Sequence, residues 1–171
     1  WLPGASLETR FRLDEPVVDA ARREALTRLF LQGARALAAV HASGVLHGDV
    51  KPTNLMVDEQ HLTLMDFGVA RRLRREVPTT PDEAAPPVGA GTPGYMAPEQ
   101  LAADAAHDRV GPAADVYGLS ASFYEVFTGR RLHDHPRRSP GELAAAKERG
   151  EPLALPRALP WELRAVLEAG V

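Results

Sequence analysis

Between Asp19 and His41 the apolar residues Leu26, Leu29, Phe30, Leu37 and Val40 return at steps of three and four, the spacing of one helix face. Gly44, after "HAS", stands where a helix C-terminal glycine belongs. A short apolar run, "VLHGDV", then enters a polar loop, and "NLMVD" and "LTLMD" read as two short strands around a turn at "DEQH". From Arg74 to Gly94 the chain is rich in Pro, Thr, Ala and Gly and has no period, which predicts a long functional or mobile loop. "APEQLAA" starts a short helix with Pro in its first turn. Asp115 to Thr128, "DVYGLSASFYEVFT", is apolar enough to predict a buried helix closed by Gly129. "HDHPRRSP" is a further loop, Pro140 to Arg149 predicts an exposed helix, and Trp161 to Glu168 the start of another. No internal repeat interrupts this order. The pattern predicts a mainly α, α+β fold: helical, with one small β-ribbon beside the polar loop.

The 171 residues suffice for one domain with a sizeable core, and 44% apolar content argues against disorder. No run of about 18 apolar residues is present, which predicts no membrane-spanning helix. The start, "WLPGASLETRF", has no basic region followed by an apolar one, so no signal peptide is expected, and a first residue of Trp suggests a piece of a longer polypeptide. A net charge of −3 gives no field that would recruit nucleic acid or an anionic membrane. The absence of cysteine excludes disulfides and thiolate metal sites and is compatible with a cytoplasmic location. Arg outnumbers Lys eighteen to two, a hint of GC-rich coding.

Candidate chemistry concentrates in "HGDVKPTN", which places an acid (Asp49), a cation (Lys51) and an amide (Asn54) within six positions. Asp66 follows seventeen positions after Asp49, again at the end of an apolar strand-like run. Two carboxylates and an amide oxygen are hard ligands suited to Mg²⁺. Lys51 adds positive charge where a transferred phosphoryl group would gather negative charge. Gly68, just after Asp66-Phe67, lets the backbone turn. In-line phosphoryl transfer needs little beyond positioning, metal and a carboxylate to take the hydroxyl proton. The plain alternative is that these Asx residues only cap and form turns. His133 and His135 have the spacing of a metal pair but no third ligand, so a loop surface is expected there, and the Arg clusters at 71–75 and 137–138 read as solvated faces.

Read together, these stretches resemble the C-terminal lobe of a eukaryotic-type serine/threonine protein kinase of bacterial appearance. "HGDVKPTN" is similar to the catalytic loop, "DFG" to the metal-binding motif, "GTPGYMAPE" to the end of the activation segment, and "DVYGL" to the start of the central buried helix. The four fall in the family's order, and the resemblance covers nearly the whole chain, 1–171. It implies that Asp49 is the catalytic base, that Lys51 stabilises the γ-phosphate, that Asn54 and Asp66 hold Mg²⁺, and that Thr92 hydrogen-bonds near Asp49 and Lys51. It implies ATP as co-substrate, with Leu2 offering backbone groups to adenine, Met56 under the ring and Ser6 towards the ribose. His47 and Phe67 would stack to keep Asp66 aimed inward, and Asp115 would tie the central helix to the catalytic-loop backbone.

Three departures matter. Gly48 stands where many members of the family have an Arg that pairs with a phosphorylated activation loop, which implies little dependence on activation-loop phosphorylation through that position, with Thr79, Thr80 and Thr92 as candidate phosphosites. "HGD" also occurs in small-molecule kinases of the aminoglycoside and choline type; Lys51, Phe67-Gly68 and Ala97-Pro98-Glu99 favour a protein substrate instead. No glycine-rich phosphate loop, strand lysine or partner glutamate is present, so the N-terminal lobe is missing from this stretch and the isolated chain is expected to be inactive. A pseudokinase that binds partners without chemistry stays open as an alternative. The expected partners are ATP, a protein carrying Ser or Thr, and the absent lobe, with no nucleic acid and no membrane contact from this segment, while a parent anchored to a membrane elsewhere stays open.

Overall fold

The computed structural model describes residues 4–11, 13, 17, 19–72, 92–101, 110–132, 139–149, 159, 161 and 164–165. In chain order the elements are β1 (Ala5–Ser6), α1 (Leu7–Arg10), α2 (Ala20–Ala42), β2 (Val45–Leu46), a 3₁₀ turn (Pro52–Asn54), β3 (Leu55–Asp58), β4 (His61–Leu64), β5 (Arg71–Arg72), α3 (Pro98–Leu101), α4 (Pro112–Thr128) and α5 (Pro140–Glu148).

The periodic stretch after Asp19 is α2. Asp19 caps it, its carboxylate accepting the Ala21 N–H at 3.1 Å, and Leu26, Leu29, Phe30, Gly33 and Leu37 form the buried face. That face lies against α4, where the Phe30 and Phe123 rings meet edge to face at 5.3 Å and 77°. α4 is the centre of the core: Ala114, Asp115 and every residue from Tyr117 to Thr128 are buried. It begins three residues ahead of the expected Asp115, because Pro112 supplies the fixed φ that suits a first helical position. Gly129 closes it in the left-handed region, as expected.

The ribbon is β3 and β4, antiparallel, with Leu55 opposite Leu64 and Asp58 opposite His61. Alternation is visible in β3, where Leu55 and Val57 are buried and Asp58 is exposed. The expectation of a single ribbon needs correcting. β1 joins β3 as a third strand, pairing Ser6 with Met56, and β2 pairs with β5 in a separate two-stranded sheet. Strands of two residues carry no period, so alternation has nothing to reveal there.

A second correction concerns α5, expected to be exposed. Its start is fixed by a capping box between Ser139 and Glu142, but Leu143, Ala146 and Lys147 are buried because the helix packs on α3. Residues 161, 164 and 165 are helical, in line with the helix expected from Trp161, whose side chain is exposed. Among the described residues no helix is long and apolar enough to cross a membrane. Leu2, Thr79, Thr80, His133, His135, Arg137, Arg138 and nearly all of the loop at 74–94 lie outside the described residues.

Candidate active site

The loop that follows β2 is held from below by one buried carboxylate. Asp115, 1% exposed on α4, accepts the backbone N–H of His47 at 2.9 Å on Oδ2 and that of Gly48 at 2.8 Å on Oδ1. His41 Nε2, from the last turn of α2, lies 2.8 Å from Asp115 Oδ2. The expected tie between the central helix and the loop backbone is therefore present, with His41 as an additional partner. Buried charge requires such partners, and here the two backbone amides hold the chain just ahead of Asp49. Gly48 adopts φ +82°, where L side chains are strained, and a Cβ there would lie 3.3 Å from the Val69 carbonyl oxygen.

His47 is fully buried. Its Nε2 lies 2.8 Å from the Met65 carbonyl oxygen, its Nδ1 accepts the Asp49 N–H at 3.3 Å, and its ring meets Phe67 at 4.7 Å. The imidazole thus joins the Asp49 loop to the strand end that carries Asp66. A backbone hydrogen bond from Met65 N–H to the Asn54 carbonyl, at 2.8 Å, makes the same connection beside it.

Within the loop, Asp49, Lys51 and Asn54 converge. Lys51 Nζ lies 2.6 Å from Asp49 Oδ2, with both side chains largely covered. Asn54, buried in the 3₁₀ turn, donates its amide to the Asp49 carbonyl at 2.9 Å and to Asp49 Oδ2 at 3.3 Å. With its N–H groups turned to Asp49, the Asn54 Oδ1 faces the other way, its partner among the described residues being the Thr53 hydroxyl at 3.4 Å. Asp66 is exposed and has φ +61°, a conformation Asp tolerates better than most residues; its Oδ1 accepts the Gly68 N–H at 3.2 Å. An amide oxygen and an exposed carboxylate are the hard donors Mg²⁺ takes, and that ion ordinarily leaves its other positions to water and phosphate. The donor set therefore fits magnesium. Among the described residues no group of three His, Cys, Asp or Glu could hold a metal unaided.

The far wall comes from the chain ahead of α3. Gly48, Asp49, Thr92, Tyr95, Met96 and Gln100 line one small cleft. Thr92 thus reaches the neighbourhood of Asp49, though among the described residues no hydrogen bond joins its hydroxyl to Asp49 or Lys51. Gln100, which sequence reasoning missed, accepts the Ala97 N–H at 2.9 Å and donates to the Gly48 carbonyl at 3.0 Å, bridging α3 to the loop. Tyr95 donates its hydroxyl to Glu125, buried on α4, and Glu125 also pairs with Arg131 at 3.2 Å. Burial, then the bond to Glu125, pushes the Tyr95 hydroxyl well above the usual phenol range. The residues expected on the nucleotide side are placed less fully. Ser6 and the half-buried Met56 face each other across β1 and β3, but the Ser6 hydroxyl caps α1 by accepting the Thr9 N–H at 3.2 Å. Leu2 lies outside the described residues.

Comparison with known proteins bears on this cleft. The protein kinase domain family matches residues 4–158. The chain is 35% identical over 153 residues to the serine/threonine-protein kinase PknA of Mycobacterium tuberculosis, a match covering 85% of this chain and 31% of that protein. It is 38% identical over 135 residues to the probable serine/threonine-protein kinase PkwA of Thermomonospora curvata, covering 78% of this chain and 16% of the relative. With the serine/threonine-protein kinase pkn2 of Myxococcus xanthus it shares 32% over 136 residues, 77% of this chain and 15% of the relative. The chain thus spans less than a third of the length of these relatives. Since the matched span takes in β1, the Asp49 loop, the Asp66 turn and α4, the chain belongs to the protein kinase domain family, similar to bacterial serine/threonine kinases.

Proposed function

We propose that the chain is the large lobe of a serine/threonine protein kinase, and that the polypeptide carrying it transfers the γ-phosphoryl group of Mg-ATP to Ser or Thr of a protein. The carrying observation is the contact of Asp49 with Lys51 at 2.6 Å, backed by the Asn54 amide. A carboxylate held this way is oriented to accept a proton, and a cation beside it answers the charge that builds on the phosphoryl oxygens. The substrate hydroxyl oxygen forms the new bond to phosphorus, the bond from phosphorus to the bridging oxygen of ADP breaks, and the hydroxyl proton passes to Asp49. Asn54 and Asp66 would hold magnesium, which when bound offsets the negative charge of the phosphates. Ser6, Met56 and Leu2 would stand on the nucleotide side, and Thr92 beside the base.

Lys51, Phe67-Gly68 and Ala97-Pro98-Glu99, the features that favoured a protein over a small-molecule acceptor in the sequence, support the same acceptor here. The glycine-rich loop and strand lysine of the small lobe are not in this sequence. The 171-residue chain alone is therefore expected to show no ATP turnover. The decisive experiment measures transfer of labelled γ-phosphate to a generic protein substrate by the longer parent polypeptide. Mg²⁺-dependent transfer abolished by Asp49→Asn supports the reading. Labelling of small alcohols only points to a small-molecule kinase, and nucleotide binding without transfer to a pseudokinase.

A further inference from the structure

Lys147 is one of two lysines in the chain and is 2% exposed, the last full turn of α5 carrying it under the segment that precedes α3. Among the described residues it has no carboxylate partner. Its Nζ instead donates to the carbonyl oxygens of Met96 at 2.5 Å, Pro93 at 3.0 Å and Gly94 at 3.5 Å, and stands 4.8 Å from the centroid of the Tyr117 ring. An ammonium group removed from water is unfavourable, and an apolar side chain of similar volume would fill the space without that penalty. What the lysine provides and an apolar residue does not is a single point on which three backbone carbonyls of a four-residue stretch are gathered. That stretch forms a turn, with the Tyr95 N–H bonded to the Thr92 carbonyl at 3.0 Å, and its members Tyr95 and Met96 line the cleft beside Asp49. Tyr95 is anchored from the other side by Glu125 of α4.

We propose that Lys147 is a positioning residue that fixes the backbone of Pro93 to Met96 against the Asp49 cleft and so sets how the protein substrate's hydroxyl-bearing segment is received. The inference rests on the kinase reading for its substrate half. Its structural half, the clamp on the 93–96 backbone, stands without it. The nucleotide would approach along β1 and β3, away from this segment, so the clamp bears on the peptide side.

Two measurements test it. In the parent polypeptide, Lys147→Met keeps the stem and removes the donors. It is expected to raise KM for a peptide substrate about tenfold while KM for ATP stays within about twofold, since one charged donor set is worth roughly one order of magnitude in binding. Lys147→Arg, which keeps charge and donors, recovers part of the loss. Hydrogen exchange read on the same variants shows Tyr95 exchanging at least about tenfold faster in Lys147→Met, with the amides of α2 unchanged. Unchanged peptide KM, or equal changes in both KM values, overturns the substrate role. Unchanged exchange at Tyr95 overturns the clamp. If Lys147→Met fails to fold, Lys147→Gln, which retains a neutral donor, is read in the same two assays. If the parent transfers no phosphate at all, the kinase reading and the substrate half fall together, and the exchange arm decides the clamp by itself.

Discussion

Asp115 shows what one residue controls. Its two oxygens accept from consecutive backbone amides of the loop and a third group, His41, presses on one of them. Asp115→Asn leaves a single carbonyl oxygen for that task and turns an N–H₂ towards a donor. The variant should lose about 2–4 kcal/mol of stability, the range for a buried charged hydrogen bond broken on one side. Chemical denaturation checks the loss, and faster exchange at the His47 and Gly48 amides checks its location. At this scale the sequence was legible where a motif fixes the spacing: Asp49, Lys51 and Asn54 lie within six positions, and they do touch. It was not legible for Gln100 or His41, whose partners Gly48 and Asp115 lie 52 and 74 positions away. A polar side chain whose partner comes from a distant turn leaves no local pattern. The one signal for Gln100 was its place directly after Ala97-Pro98-Glu99, at the start of α3.

At the scale of elements, α4 does more than fill the core. Gly118 on this helix meets the Asp49 loop backbone to backbone: a Cβ there would stand 2.6 Å from the Val50 carbonyl oxygen and 3.1 Å from Val50 Cβ. In sequence this glycine reads only as a weak point in a helix, since Gly is about 1 kcal/mol worse than Ala in such a position. The packing reverses that sign. Gly118→Ala gains helix propensity but drives a methyl group into the backbone one residue after Asp49. A net loss of about 1–3 kcal/mol is expected, the usual result of overpacking, together with loss of transfer activity in the parent polypeptide. A variant at least as stable as the parent and fully active would contradict the close approach. The long elements declared themselves in two ways: α2 by its apolar spacing, because it buries one continuous face, and α4 by its apolar content, because nearly every residue of it is buried. α5 did not. Its short "LAAAKE" run offers mostly small residues, and a lysine is the last residue a pattern would assign to a core.

For the whole molecule, Lys147 ties charge to folding. Burial pushes its ammonium down to about 7 from an ordinary 10.5. In the unfolded chain the group keeps its proton until about pH 10.5, whereas the folded chain releases it near neutrality. Between those limits the unfolded state binds more protons, so raising the pH favours folding. For one group the slope is at most about 1.4 kcal/mol per pH unit. The groups that face it do not cancel this. The Tyr117 ring beneath Nζ and the nearby Tyr95 are both pushed above the ordinary phenol range, Tyr117 by burial and then by Glu99 of α3, so their opposing effect belongs above pH 10. Melting temperature is therefore expected to rise between pH 7 and 9 by about 5 °C or more, and Lys147→Met should flatten that rise while leaving the protein at least as stable at pH 7, where the buried charge is most costly. A thermal melt of both proteins across this range decides the matter: parallel curves would show that the lysine keeps its proton in the folded chain, held by the three carbonyls it gathers.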